Sequence, residues 1–166
     1  MKDRRLLTAL LMCIVCFGCG LEKATDYNRR GVAKAKHREY KAAIELYSAA
    51  IRLDPDYEVA YNNRGVAKKH LGEYEAAIAD YDSAIGLVPD DANAYFGRGL
   101  VKKTLNKTLE AIQDFQTALE LAAQAGDVAL KDDIKSFLAQ DESNSEEAQA
   151  DVKLKDDVES FLLQFK

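Results

Sequence analysis

Three cysteines spaced C-x-x-C-x-x-C, two histidines and two adjacent acid pairs are the residues of this sequence whose types and spacing could do chemistry. Cys13, Cys16 and Cys19 have the spacing of part of an iron–sulfur ligand set. A fourth cysteine is missing, and the run sits inside an apolar segment directly after a basic start. His37 and His70 fall at different places along the chain, and neither belongs to a metal-ligand pattern such as H-E-x-x-H. Asp132-Asp133 and Asp156-Asp157 are neighbours in sequence, so on a helix they point apart and cannot serve as one acid/base pair. There is no Gly-rich phosphate loop and no nucleophile elbow. The chain therefore reads as non-enzymatic, with no catalytic residue, no metal site and no cofactor.

The cysteines have a second reading. Lys2, Arg4 and Arg5 precede an apolar run from Leu6 to Phe17, broken only by Thr8. Twelve helical residues rise about 18 Å, short of the roughly 30 Å hydrocarbon core, so the run fits a signal-peptide core and not a spanning helix. Cys16-Phe17-Gly18-Cys19 resembles the lipobox of bacterial lipoproteins, in which a small residue precedes a cysteine that is lipidated and becomes the new first residue. Gly18 and Cys19 fit that pattern, while Cys16 stands where leucine is usual. The resemblance implies a leader over 1–19, a lipid on Cys19, and a mature chain anchored in the bacterial cell envelope, periplasmic or outer-facing. Ordinary secretion of a soluble or periplasmic chain is the alternative. Cleavage at Cys19 would leave no other cysteine, and so no disulfide within one chain.

The remaining residues must explain what is anchored. The sequence repeats itself with a period of 34. Tyr27, Tyr61 and Tyr95 align, as do Arg30-Gly31, Arg64-Gly65 and Arg98-Gly99. Ala43, Ala77 and Ala111 align, then Tyr47, Tyr81 and Phe115, then Ala50, Ala84 and Ala118. Pro55 and Pro89 are the chain's two prolines, and Ala123 stands in the third place. This pattern resembles the tetratricopeptide repeat, whose period and Gly/Ala/Tyr/Pro signature it shares over 24–125. The resemblance implies an all-α fold: a right-handed superhelix of three antiparallel helix-pair repeats, 24–57, 58–91 and 92–125, with capping helices at the C-terminal end.

Local chemistry agrees with that reading. Small residues at the glycine and alanine places let paired helices approach, and the aromatic row fills the space beside them. Gly72 stands just past a helix end, where a left-handed residue caps it, and Asn106 can do the same. Arg38 takes that place in the first repeat, which predicts a strained or different turn. Asp54-Pro55 and Val88-Pro89 stop second helices, and Asp90 or Asp91 can cap the next. The third second-helix has no such stop and is expected to run to Gly126. Arg64 lies 16 residues before Asp80, and Arg98 lies 16 before Asp114, so both are expected to form structural ion pairs across a hairpin. Arg30 faces Leu46 instead and is the arginine most available to a ligand.

In the resembled family, the first helices line a concave groove that binds peptides. Carried over, Asn28, Asn62 and Phe96 form one row. Val32, Val66 and Leu100 form an apolar floor. Lys69 and Lys103, with Lys36 and His70 beside them, form a basic end. Amides can pair with a peptide backbone, the floor can take side chains, and lysines can take carboxylates. These positions can equally be ordinary soluble surface. The clamp for a terminal carboxylate used by chaperone-binding members is set aside, because Val32, Asn93 and Gly97 stand where asparagine, lysine and arginine would be expected, and only Asn63 matches.

The tail carries a second repeat. Residues 127–138 recur as 151–162, with Leu130, Ile134, Phe137 and Leu138 answered by Leu154, Val158, Phe161 and Leu162. Residues 126–140 are expected to cap the third repeat, 141–150 to be an acidic linker and 151–166 a second amphipathic helix. That helix can return onto the first copy as a hairpin, which the linker length favours, enter the groove, or pair with another chain. Composition bounds the function: hydrophobic residues make 48% and charged residues 31% of the chain, a globular balance, and the net charge of -5 gives no basic footprint for nucleic acid. The function implied is an envelope-tethered interaction scaffold for a protein or peptide. The alternative is a structural subunit of a larger membrane assembly, such as a pilus or secretion machine.

Overall fold

A computed structural model of the chain describes residues 23–142, which form seven helices and no strand. They are α1 (Ala24–Lys36), α2 (Tyr40–Leu53), α3 (Glu58–His70), α4 (Tyr74–Leu87), α5 (Ala92–Thr104), α6 (Thr108–Ala125) and α7 (Val128–Glu142). The leader with Cys19 and the expected helix over 151–166 lie outside the described residues. The first helices of the three pairs begin at Ala24, Glu58 and Ala92, one period apart.

The aligned small residues explain the pairing. Ala43, Ala50, Ala77, Ala84, Ala111 and Ala118 are buried, and so are Tyr47, Tyr81 and Phe115. Each ring lies against the glycine of its own first helix. A Cβ on Gly31 would stand 2.5 Å from Tyr47, one on Gly65 3.1 Å from Tyr81, and one on Gly99 2.7 Å from Phe115. Real Cβ atoms need about 3.4 Å or more, so glycine sets the distance between the paired helices.

The helices stop where the sequence indicates. α2 and α4 end one residue before Asp54-Pro55 and Val88-Pro89. The Asp91 carboxylate accepts from the Asn93 backbone N–H at 3.0 Å and caps α5. α6 runs on to Ala125, where Gly126 ends it at φ 69°.

The first turn does not differ from the others. Arg38, Gly72 and Asn106 all take positive φ, at 62°, 78° and 57°. In each turn, the next two N–H groups bond back to the last helical carbonyls. Arg38 donates to Ala35 and Glu39 to Lys34; Gly72 donates to Lys69 and Glu73 to Lys68; Asn106 donates to Lys103 and Lys107 to Lys102. The hydrogen-bonded frame thus holds an arginine in a left-handed conformation that costs about 1–2 kcal/mol for a residue with a Cβ. Arg38→Gly removes that cost but gives the unfolded chain extra freedom worth about 0.5–1 kcal/mol. The expected net gain is about 0.5–1 kcal/mol, seen as a rise of a few degrees in Tm. A fall in Tm would contradict it.

The open end of the array is closed by α7. Leu130 and Ile134 are buried with Ile112, Leu119 and Ala122 of α6, and the Asp127 carboxylate caps α7 at the Leu130 N–H, 3.0 Å away. This seals an apolar end that a terminal repeat cannot leave bare. α7 continues to Glu142, two residues past the end expected at 140.

Candidate peptide-binding groove

The groove is framed by charged side chains that fix its helices. Arg64 donates from Nη2 and Nε to the two Asp80 carboxylate oxygens at 2.7 and 3.0 Å. Arg98 does the same to Asp114, again at 2.7 and 3.0 Å. The Asp114 hydrogen bonds raise the Arg98 guanidinium above its ordinary pKa. The same arginines also reach backward. Arg64 donates to Ser48 of the preceding pair at 3.0 Å, and Arg98 to Asp82 at 2.6 Å. Each arginine thereby ties α2 to α4, or α4 to α6, through its own helix. Lysines complete the set, with Lys68 2.8 Å from Asp80 and Lys102 2.9 Å from Asp114. These lysines and the backward contacts are absent from the sequence reading, although Lys68 and Lys102 align at the 34-residue period. Arg30, which is exposed, lies 5.4 Å over the Tyr27 ring, as Arg64 and Arg98 lie over Tyr61 and Tyr95.

Between α3 and α5 the concave face opens into a groove of about 680 Å³. Asn62, Val66 and Lys69 line one wall, Phe96 and Leu100 the other, and Tyr81 the floor; Glu58 and Asp91 stand at one end. A smaller hollow of about 260 Å³ between α1 and α3 is lined by Val32, Lys36, Tyr40, Val66 and His70. Eight of the ten expected groove residues therefore line one hollow or the other.

Asn28 and Lys103 do not, and each has a physical reason. Asn28 is buried. Its amide donates to the Tyr57 hydroxyl at 3.3 Å, and its carbonyl accepts from Asn63 at 3.0 Å. Asn62 makes the corresponding bond one period on, donating to Asp91 at 3.2 Å. The asparagine row thus joins successive repeats instead of waiting for a peptide backbone. Lys103 is covered by α7: its ammonium lies 5.2 Å from the Phe137 ring centroid, and that ring also meets Phe96 and Phe115 at 6.0 and 5.7 Å.

The basic end is correspondingly smaller. His70 stacks on Tyr40 at 4.6 Å, and burial together with the nearby Lys69 and Arg38 charges lowers its pKa, which disfavours its cationic form. Lys36 and Lys69 remain. Burial lowers the Lys69 pKa, and its ammonium has no hydrogen-bond or ion-pair partner among the described residues. The stem of Lys69 is thus half-buried while its ammonium faces the groove, where a carboxylate could pair with it. No group of His, Cys, Asp or Glu among the described residues could hold a metal.

Family profiles described as TPR repeat match residues 38–72 and 69–106, and one described as Tetratricopeptide repeat matches 92–124, together just over half of the chain. The chain belongs to the tetratricopeptide-repeat family. Comparison with curated protein sequences finds no significant match. Solved structures place the helix pairs among other tetratricopeptide domains. The second such domain of Spaghetti (RPAP3), bound to the HSP90 peptide SRMEEVD, is 34% identical with a TM-score of 0.59, over 60% of this chain and 93% of that one. The Arabidopsis OM64 domain is 26% identical with a TM-score of 0.63, over 70% and 94%. MamA is 30% identical with a TM-score of 0.60, over 63% and 61%. Within this tetratricopeptide groove, Asn63, Asn93 and Gly97 all line the cavity, so the places of a carboxylate clamp are present without its lysine and arginine. An arginine could not simply be restored at 97, because a Cβ there would stand 2.6 Å from the Tyr81 ring.

Proposed function

We propose that this chain is a non-enzymatic scaffold that holds a peptide segment of a partner protein between α3 and α5, while a lipid on Cys19 tethers it to the bacterial envelope. The observation that carries the binding half is Lys69: a half-buried side chain whose ammonium has no partner among the described residues, in a groove walled by Val66, Phe96 and Leu100. A ligand that sets apolar side chains on those walls and a carboxylate on Lys69 would satisfy both. Peptide binding by a structurally similar domain of 34% identity supports the reading. The ligand would be anchored by Lys69 of α3, because lysine and arginine are absent at positions 93 and 97.

Cross-linking in cells, followed by identification of the captured protein, supplies the partner for a quantitative test. Lys69→Glu combined with Val66→Asp should weaken its binding at least tenfold, about 1.4 kcal/mol, while changing stability by about 0.5 kcal/mol per site, since both positions face the groove surface. Lys103 is unsuitable for this purpose because its substitution also disturbs the α7 contact. Unchanged affinity would place the partner on the convex face. A stoichiometric complex that never dissociates would favour the structural-subunit reading.

The tether rests on the basic start, the short apolar run and Gly18-Cys19. Mass spectrometry of the protein isolated from membranes should show a chain that begins at Cys19 and carries acyl groups. An intact Met1, or an unmodified Cys19, would overturn it.

A further inference from the structure

Lys69 and His70 are consecutive on α3, and consecutive helical residues point about 100° apart. Lys69 accordingly lines the larger groove, towards α5, and His70 the smaller hollow, towards α1. Both hollows are lined by Asn63 and Val66, so they adjoin across α3 and one ligand can lie over the two. Of the three first helices, α3 alone is basic at both places: α1 has Ala35-Lys36 and α5 has Lys103-Thr104.

The smaller hollow is suited to negative charge. Lys36 reaches it from α1, Tyr40 from α2 and His70 from α3, and no carboxylate and no residue of α4 lines it. Lys36, like Lys69, has no hydrogen-bond or ion-pair partner among the described residues. The Tyr40 ring lies 4.6 Å from the imidazole and within 7° of parallel. Such a stack fixes the imidazole by one face and leaves its edge, with both nitrogens, to a ligand; His70 is exposed. The charges that act on the imidazole are cations, Lys69 beside it and Arg38 from the α1–α2 turn. Glu39 of that turn is taken by Lys34 at 2.7 Å. Burial and those cations together keep the His70 pKa below 6.5. Glu58 and Asp91 at the other end of the larger groove turn a ligand's acidic residues towards Lys69 and His70.

We infer that the hollow between α1 and α3 is a second carboxylate subsite of the same groove. Lys36 and the edge of the His70 ring take one acidic side chain of the ligand there, while Lys69 takes another across α3. The ligand class is thus a peptide segment with two acidic residues and an apolar one, the last set on Val66, Phe96 and Leu100. A carboxylate beside His70 favours the imidazolium, so its pKa rises in the complex. Between the free and the bound pKa the complex holds more protons than its separate parts, and affinity rises as pH falls through that window. Glutamate ionises with a pKa of about 4.3, so a ligand's carboxylates stay charged at about pH 5.5. This inference rests on the groove being a peptide site.

Acetylated and amidated synthetic peptides of about ten residues test it, each with two leucines and either one glutamate or two. The two glutamates are separated by about one to four residues, spacings that bracket the roughly 10 Å between neighbouring helix axes. Fluorescence anisotropy with the full chain should find a two-glutamate peptide that binds about fivefold more tightly than every one-glutamate peptide. Its advantage should grow about three- to tenfold from about pH 7.5 to 5.5, the effect of one pKa unit or less. His70→Gln should abolish that growth, and Lys36→Gln should reduce the advantage at both pH values. By NMR, the titration midpoint of the His70 ring should rise when the two-glutamate peptide is added and not when a one-glutamate peptide is. Equal binding of one- and two-glutamate peptides overturns this inference alone, and so does a pH gain that survives His70→Gln. Failure of every peptide to bind overturns it together with the groove reading.

Discussion

Asp80→Ala should lower the folding free energy by about 3 kcal/mol, more than any other single charge removal in the array. The Asp80 side chain is 5% exposed and receives two Arg64 hydrogen bonds and the Lys68 ammonium. Alanine leaves the Arg64 guanidinium with the Ser48 hydroxyl and the Tyr61 ring, and leaves Lys68 with a long 3.4 Å bond to the Ala76 carbonyl. Both cations are less than one-fifth exposed, so water replaces the lost carboxylate poorly. Asp114→Ala should cost less, because Arg98 keeps Asp82 at 2.6 Å. Asp26→Ala removes a pair whose side chains are 80% and 44% exposed and should cost under about 1 kcal/mol. Urea denaturation of the three variants should give that order at an unchanged m-value. An Asp80→Ala cost as small as that of Asp26→Ala would show the pair to be solvated.

The ordering also shows how far the period could be read. A 34-residue repeat fixes which residues are equivalent, so Arg64–Asp80 and Arg98–Asp114 follow from one spacing of 16 within a hairpin. It does not fix how successive pairs are offset. The backward bonds to Ser48 and Asp82, and the asparagine bonds Asn28–Asn63 and Asn62–Asp91, depend on that offset and were misread or missed. Arg38 carries the left-handed strain expected of it, but its turn is not a different one. The three turns make the same hydrogen bonds, and a frame formed by several carbonyls and N–H groups outweighs one residue's left-handed penalty. Lys103 was placed in the groove because α7 was expected only to cover the end of α6. Lys131 stands one period after Gly97, so α7 cannot approach Phe115 as α5 approaches Tyr81, and Phe137 covers Phe115, Phe96 and Lys103 instead.

Gly97→Ala should destabilise the protein by about 1–2 kcal/mol, against the gain that the same change normally brings inside a helix. Alanine in place of glycine mid-helix is favourable by about 1 kcal/mol, because the unfolded chain loses freedom. At Gly97 the added Cβ would lie 2.6 Å from one Tyr81 ring carbon and 2.9 Å from its hydroxyl. The ring is fully buried and cannot retreat, since a Cβ built on Gly65, on its own pair, would already be 3.1 Å away. Either α5 must move off α4 or Tyr81 must leave its rotamer, and either change also deforms the groove floor. Gly86 is the internal control. It lies in α4 with nothing within 4 Å of its would-be Cβ, so Gly86→Ala should stabilise by about 0.5–1 kcal/mol. The coupling can be isolated by repeating Gly97→Ala with Tyr81→Leu, where the ring is gone and the cost should fall by at least about 1 kcal/mol. If Gly97→Ala costs the same with and without the ring, helix approach is not what selects glycine at this position. If the cost does vanish, the missing arginine of the carboxylate clamp has a steric origin: residue 97 can carry a side chain only where residue 81 carries a smaller one.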